Sequence, residues 1–129
     1  LLAEGQAALL SAANLSHILQ MPCFSRTAGA AVYREREFLC ALPADSFMKT
    51  ASHDEVLVQG AIDLLCVNGG QVTIIDYKYS AKPDDLLIST YTPQLDLYRL
   101  AVEKIMHVPR EKIGAYIVNI NLLHEIKLY

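Results

Sequence analysis

Leu57-Val58-Gln59-Gly60-Ala61-Ile62-Asp63-Leu64-Leu65-Cys66-Val67, then Asn68-Gly69-Gly70-Gln71, then Val72-Thr73-Ile74-Ile75-Asp76-Tyr77-Lys78-Tyr79 is the stretch that decides the fold. Two apolar runs flank a turn whose Asn and Gly residues accept the positive φ that tight hairpins need. They read as strands, Leu57 to Val67 and Val72 to Tyr79. Residues two apart on a strand share a face. Asp76 and Lys78 therefore point the same way with Ile74, while Ile75, Tyr77 and Tyr79 point the other way. If Gly69 and Gly70 form a two-residue turn, Asn68 pairs with Gln71 and Asp63 stands opposite Asp76. A three-residue loop would set Asp63 across from Ile75, on the opposite face.

In the first register two carboxylates confront each other across apolar strands. Like charges directly opposite are destabilising, and an unpaired buried charge is costly. Lys78 supplies one compensating charge. A divalent cation between Asp63 and Asp76 would supply the rest, and hard oxygen ligands in an incomplete shell suit Mg2+. The backbone carbonyl of Tyr77 could complete that shell. Such a cation polarises a phosphodiester and activates water, and Lys78 could orient the water and offset transition-state charge. An interstrand salt-bridge cluster without catalysis uses the same three residues, and their spacing alone leaves both readings open.

Working outward, Val32 to Cys40 alternates apolar and charged residues and reads as a strand. Tyr33 would share a face with Glu35 and Glu37, and Val32 one with Arg34, Arg36 and Phe38. Pro43 to Glu55 reads as a loop, and Ser80 to Tyr91 as an irregular connection. Thr92-Pro93 reads as a helix start, with a hydroxyl cap followed by proline at the first helical position. That helix runs to about Met106. Gln94 and Tyr98, i and i+4, stack on one face, with Gln94 at the positive end that suits phosphate or a metal-bound hydroxide. A core Tyr98 beside a solvated Gln94 is the alternative. Lys112 to Asn121 and Glu125 to Tyr129 read as closing strands. Upstream, residues 1–12, Leu15 to Gln20 capped by Asn14, and Ser25 to Ala31 read as helical. The whole is one domain, a helical lead-in (1–31) and a core (32–129), of α+β class with a mixed sheet and flanking helices.

Composition narrows the class. The chain has 129 residues, 53% of them hydrophobic, enough to bury a core without staples. No apolar run approaches the roughly 18 residues of a membrane helix, so no membrane role is expected. The net charge of −3 does not suit a free-standing nucleic-acid binder; a larger parent could carry the basic track. Cys23, Cys40 and Cys66 form no CxxC pair, so no iron–sulfur cluster is expected and reduced, buried thiols are. No Gly-rich phosphate loop occurs.

Gly60-Ala61-Ile62-Asp63, Ile75-Asp76-Tyr77-Lys78 and Gln94-Leu95-Asp96-Leu97-Tyr98 together resemble the GxxD, DYK and QxxxY motifs of the RecB-like branch of the PD-(D/E)XK nucleases. Arg34-Glu35-Arg36-Glu37-Phe38, the Val58-Gln59-Gly60 lead-in and Pro93 to Tyr98 are similar to the C-terminal nuclease domain of the A subunit of bacterial helicase–nucleases (AddAB type). The resemblance implies a restriction-endonuclease-like fold and a Mg2+-dependent, exonuclease-type deoxyribonuclease in which Mn2+ can substitute. Asp63 and Asp76 would bind metal, Lys78 would be the catalytic lysine, and Gln94 and Tyr98 would brace the site and meet the DNA. Glu35 would be the acid of the first strand, with Glu37 the neighbour most easily confused with it. It further implies a bacterial cytoplasmic parent that couples unwinding to cleavage in double-strand-break repair and recombination. ATP would act only through a helicase region outside this chain, single-stranded DNA would be the substrate, and a second subunit (AddB type) the partner. The branch carries a metal-binding His on a helix upstream, which His17 does not match. The chain is thus expected to be a C-terminal fragment starting after that helix, weak or inactive alone. A catalytically incomplete nuclease fold serving as a DNA-binding or docking module is the alternative.

Overall fold

The computed structural model describes His17, residues 20–25 and residues 29–129. The helix expected over residues 1–12 falls outside that set, as do residues 15, 16, 18 and 19 of the one expected over 15–20 and residues 26–28 of the one expected over 25–31. The latter is corrected at its end, where Gly29 and Ala30 form a turn and bend and Ala31 opens a strand. What is described upstream is a single turn, α1 (Pro22–Ser25). Then follow β1 (Ala31–Pro43), β2 (Glu55–Asn68), β3 (Gln71–Lys78), the long helix α2 (Asp84–Met106), β4 (Ile113–Asn119) and β5 (His124–Lys127). One-turn 3-10 helices at Ala44–Ser46 and Arg110–Lys112 precede β2 and β4.

The five strands form one mixed sheet in the order β1-β2-β3-β4-β5. β1, β2 and β3 are an antiparallel meander, β4 lies parallel to β3, and β5 closes antiparallel on β4. A parallel neighbour requires a crossover, and α2 is that crossover. Asn68 pairs with Gln71, and both turn glycines have positive φ, 58° at Gly69 and 82° at Gly70. The two-residue register therefore holds, and the three-residue alternative is excluded.

The sheet is covered on both faces. On one, Leu87, Leu95, Tyr98 and Val102 of α2 pack on Ile62, Leu65, Ile74, Ile113, Ala115 and Ile117. On the other, Met21 and Cys23 pack on Leu64, Cys66, Ile75, Tyr116 and Val118. Cys23, Cys40 and Cys66 are free and buried. Burial and the neighbouring Glu125 push the Cys23 thiol up.

Two further expectations need correction. α2 does not start at Thr92-Pro93 but at Asp84, so Pro93 lies inside it. Proline removes a backbone donor and costs about 3 kcal/mol in a helix interior. Here the stripe Leu87, Leu95, Tyr98 and Val102 continues through it at helical spacing, and its burial outweighs that cost. The Thr92 hydroxyl is not a cap; it bonds back to the Ile88 carbonyl one turn earlier. Gln94 is consequently mid-helix, and the expected help from a helix end does not apply to it.

The second correction concerns β1. Glu35 has φ 48°, the left-handed region that non-glycine residues seldom occupy. Strict alternation fails there, and the Arg36 guanidinium lies over the Tyr33 ring, 5.2 Å from its centre. Tyr33 thus sides with Arg36 and Phe38, not with Glu37. β2 switches face at the matching point: Ile62 packs against α2, yet Leu64 faces away and Leu65 returns.

At Gly60 a strand passes close under two aromatic rings, one from β1 and one from α2. A Cβ there would stand 2.9 Å and 3.0 Å from Phe38 Cζ and Cε1 and 3.2 Å from Tyr98 Cε1. Those rings are already locked edge to face, with centroids 5.6 Å apart. Overpacking of this kind costs about 1–3 kcal/mol. Gly60→Ala is therefore expected to lower the melting temperature by several degrees, and an unchanged thermal melt would show that the rings yield freely.

Candidate active site

The predicted residues meet where β2 and β3 part. The ladder between them runs from Asn68↔Gln71 to Leu64↔Ile75. One step further in the same register stand Asp63 and Asp76, but no ladder bond joins them. Instead the Asp63 side chain reaches into the fork and its Oδ2 accepts the Tyr77 backbone N–H at 2.9 Å. The carboxylate thus replaces the strand pairing that its own position ends. Lys78 O accepts the Ile120 N–H on the β4 side. Successive strand residues direct their backbone groups to alternate sides, so the Tyr77 carbonyl faces the β2 side, beside Asp63. The Tyr77 ring lies on the far face, stacked on Phe24.

Asp76 is 4% exposed. Its carboxyl is pushed up from 3.8 to about 6, first by burial; the Lys78 ammonium pulls it down, and the Asp63 carboxylate raises it again by charge and by hydrogen bonding. Lys78 Nζ stands 3.0 Å from Asp76 Oδ2. That contact is a close ion pair between a buried carboxylate and a partly exposed ammonium. Lys78 Nζ also sits over the Tyr91 ring, 4.2 Å from its centre.

From α2, Gln94 Nε2 donates to the Tyr98 hydroxyl at 3.1 Å. Burial, then the charges of Asp76 and Asp63, push the Tyr98 phenol up, so the two acids and the tyrosine share one electrostatic environment. Gln94 Oε1 is buried without a partner. Asp76 Oδ2, by contrast, has the Lys78 ammonium beside it. A buried acceptor left unmatched, as Gln94 Oε1 is, is expensive.

Glu35 falls level with Asp63, between the pairs Arg34↔Leu64 and Arg36↔Ile62, while Glu37 pairs with Ala61. The register thus separates the two glutamates. Glu35 is exposed, and among the described residues no group of three or more His, Cys, Asp or Glu side chains converges. His17 faces the Leu123 carbonyl at 3.0 Å, not the acids.

Two neighbours of the site escape a reading of the sequence. Tyr91 falls in an irregular connection when Pro93 is read as the helix start; continuing the i, i+4 spacing back from Leu95 to Leu87 reveals it. Buried Asn119, level with Lys78, donates to the Ser80 carbonyl and accepts from the Asn121 and Leu122 N–H groups. It ties the chain leaving β3 to the turn after β4, and nothing local in the sequence marks it.

A divalent cation fits this donor set: two hard carboxylates at the fork, one of them deeply buried, and a backbone carbonyl on the same side.

Comparison with known families agrees with the fold. A family model for the PD-(D/E)XK nuclease superfamily matches residues 7–127, and the chain belongs to that superfamily. It is similar to proteins named as the A subunit of an ATP-dependent helicase/nuclease. That of Oceanobacillus iheyensis is 33% identical over 108 residues, 76% of this chain and 9% of the relative. That of Desulforamulus reducens is 36% identical over 93 residues, 68% of this chain and 8% of the relative. That of Carboxydothermus hydrogenoformans is 30% identical over 126 residues, 93% of this chain and 11% of the relative. The chain spans about a tenth of the length of these curated relatives. Among the described residues no helix is long and apolar enough to cross a membrane.

Proposed function

We propose that this chain is the DNA-cleaving domain of a bacterial helicase–nuclease. It hydrolyses phosphodiesters in an exonuclease-type reaction on single-stranded DNA fed to it by the helicase. The setting is cytoplasmic double-strand-break repair and recombination, with ATP used elsewhere in the parent and a second subunit (AddB type) beside it. The observation that carries this reading is the buried Asp76 carboxylate, raised by burial and by Asp63, set beside that second carboxylate where β2 and β3 part. A purely structural ion pair needs one carboxylate for its ammonium, whereas here a second carboxylate, Asp63, stands beside the Asp76–Lys78 pair.

Asp63, Asp76 and the Tyr77 carbonyl would hold Mg2+ or Mn2+. When bound, the cation supplies Lewis acidity toward a phosphodiester oxygen and lowers the pKa of water. Lys78 orients the attacking water and opposes the charge that builds on the phosphoryl oxygens. Gln94 and Tyr98 brace the α2 side of the site, and the phenol, accepting from Gln94, keeps its own proton free to donate. Glu35, level with Asp63, is assigned an indirect role toward the metal.

A docking module with an incomplete site is the second reading. One observation favours it: no third side-chain ligand joins Asp63 and Asp76 among the described residues. Asp63→Ala in the full-length parent separates the two. Under the nuclease reading Mn2+ affinity, measured by calorimetry, falls by more than the roughly 10–100-fold that loss of a ligand's hydrogen-bond partner costs, and single-strand cleavage is lost. A parent that never cleaves with Mg2+ or Mn2+, or a variant that cuts as fast as wild type, supports the docking module.

A further inference from the structure

We propose that Tyr91 is a positioning residue that acts through Lys78, its ring holding the ammonium in place by a cation–π contact. The proposal rests on the nuclease reading above. Lysine is a poor device for precise placement, since its four-carbon stem is flexible and its charge is a compact point. Fixing it costs side-chain entropy of about 1.5–2 kcal/mol. One carboxylate contact, that to Asp76 Oδ2 at 3.0 Å, defines a distance and leaves the ammonium free to swing about it. A second contact at an angle to the first fixes the nitrogen. The Tyr91 ring is that contact, with Nζ 4.2 Å from its centre, inside the roughly 6 Å range over which ring quadrupoles attract cations.

The fold holds this ring firmly. Tyr91 lies one helical turn after the fully buried Leu87 and one before Leu95, and it packs on the core between sheet and helix. It belongs to the part of α2 that precedes Pro93, the part whose existence costs the helix a backbone bond. The first turn is tethered as well, with Asp84 Oδ1 2.6 Å from His124 Nε2 on β5. A helix beginning at Pro93 would brace the site with Gln94 and Tyr98 yet leave the Lys78 ammonium without the ring that complements Asp76. Between Asp76 and the ring, one side of the ammonium stays open, and the Lys78 side chain is 22% exposed. That open side is where water and phosphate reach it.

The test uses the full-length parent enzyme with Mg2+ and single-stranded DNA, in four forms: wild type, Lys78→Met, Tyr91→Phe and Tyr91→Leu. A further series carries mono-, di- and trifluorinated phenylalanine at position 91. Fluorination weakens the ring quadrupole stepwise at nearly constant shape, so a packing role would not follow it. Tyr91→Leu is expected to lower kcat about tenfold, the equivalent of the roughly 1.4 kcal/mol a partly desolvated cation–π pair supplies, with KM and Mn2+ affinity little changed. Tyr91→Phe keeps most of the rate, and log kcat falls in step with fluorine count. A flat fluorine series, a Leu variant with wild-type kcat, or an effect confined to KM overturns the proposal. If Lys78→Met cuts as well as wild type, the nuclease reading itself fails and this proposal falls with it; that outcome is distinguishable because it needs no substitution at Tyr91.

Discussion

Asp76→Asn is expected to abolish DNA cleavage by the full-length parent while making the metal-free protein more stable. The two effects have one cause. Asp76 is almost wholly buried, and burial together with the Asp63 charge outweighs the help from Lys78, so its carboxyl is raised from 3.8 to about 6. An acid raised on folding binds more protons in the native state than in the unfolded one between those two values. Stability therefore falls as pH rises through that window. Below about 3.8 the group is protonated in both states and the penalty is absent; above about 6 it is present in full. A shift of that size corresponds to about 3 kcal/mol, of which an asparagine amide, itself needing partners, would recover about 1–2 kcal/mol.

The comparison is to be made by denaturant melts with a chelator present. Asn should exceed Asp in stability at pH near 8, and the two should converge as pH approaches about 4. Loss of the ligand carboxylate removes Mn2+ affinity and with it cleavage, by about a thousandfold or more. In the wild type, Mn2+ affinity should weaken as pH drops below about 6, because cation and proton compete for the same carboxylate. A destabilised Asn variant at neutral pH would mean that Asp76 is a satisfied structural acid, the reverse of what its burial beside Asp63 implies.

How much of this is legible in the sequence follows from which constraints are local. The Asn68-Gly69-Gly70 turn fixes its own register, because few residues accept two consecutive positive φ values. That register alone brings Asp63 and Asp76 level. The strand faces of β3 follow from simple alternation, and Tyr77 does point away from Asp76. Two things are hidden. The face switch at Glu35 and Asp63 is a backbone event, and alternation rules assume an even backbone; nothing in Arg34-Glu35-Arg36 announces a positive φ. The start of α2 is misplaced because Thr92-Pro93 satisfies a helix-start rule so well locally. Burial of Leu87 against the sheet, a tertiary fact, decides otherwise. Both failures sit against the site, where β1, β2 and the first half of α2 depart from regularity and in doing so place Asp63 and Tyr91.

Lys78→Met should also abolish cleavage, but with the opposite effect on the metal-free protein. Removing the ammonium leaves Asp76 buried beside Asp63 without its nearest counter-charge, which lies at 3.0 Å in the wild type. Breaking one side of a buried ion pair costs about 3–5 kcal/mol. Lys78 is partly exposed, so water takes up some of the field, and a loss of about 1–3 kcal/mol is expected. The Asp76 carboxyl should rise further, since a lowering influence is gone. Mn2+ then becomes the main source of positive charge at the fork, and saturating Mn2+ should raise the melting temperature more in Lys78→Met than in the wild type. Cation affinity survives within a few-fold because both carboxylates remain, while kcat falls by about 10²–10⁴ from loss of a placed donor and charge. The two substitutions thus separate what a salt-bridge cluster would join. If Asp76 and Lys78 were only a structural pair, removing either would destabilise the protein and spare cleavage. For an active site, both remove cleavage, Asp76→Asn stabilises the metal-free protein, Lys78→Met destabilises it, and only the second is repaired by metal.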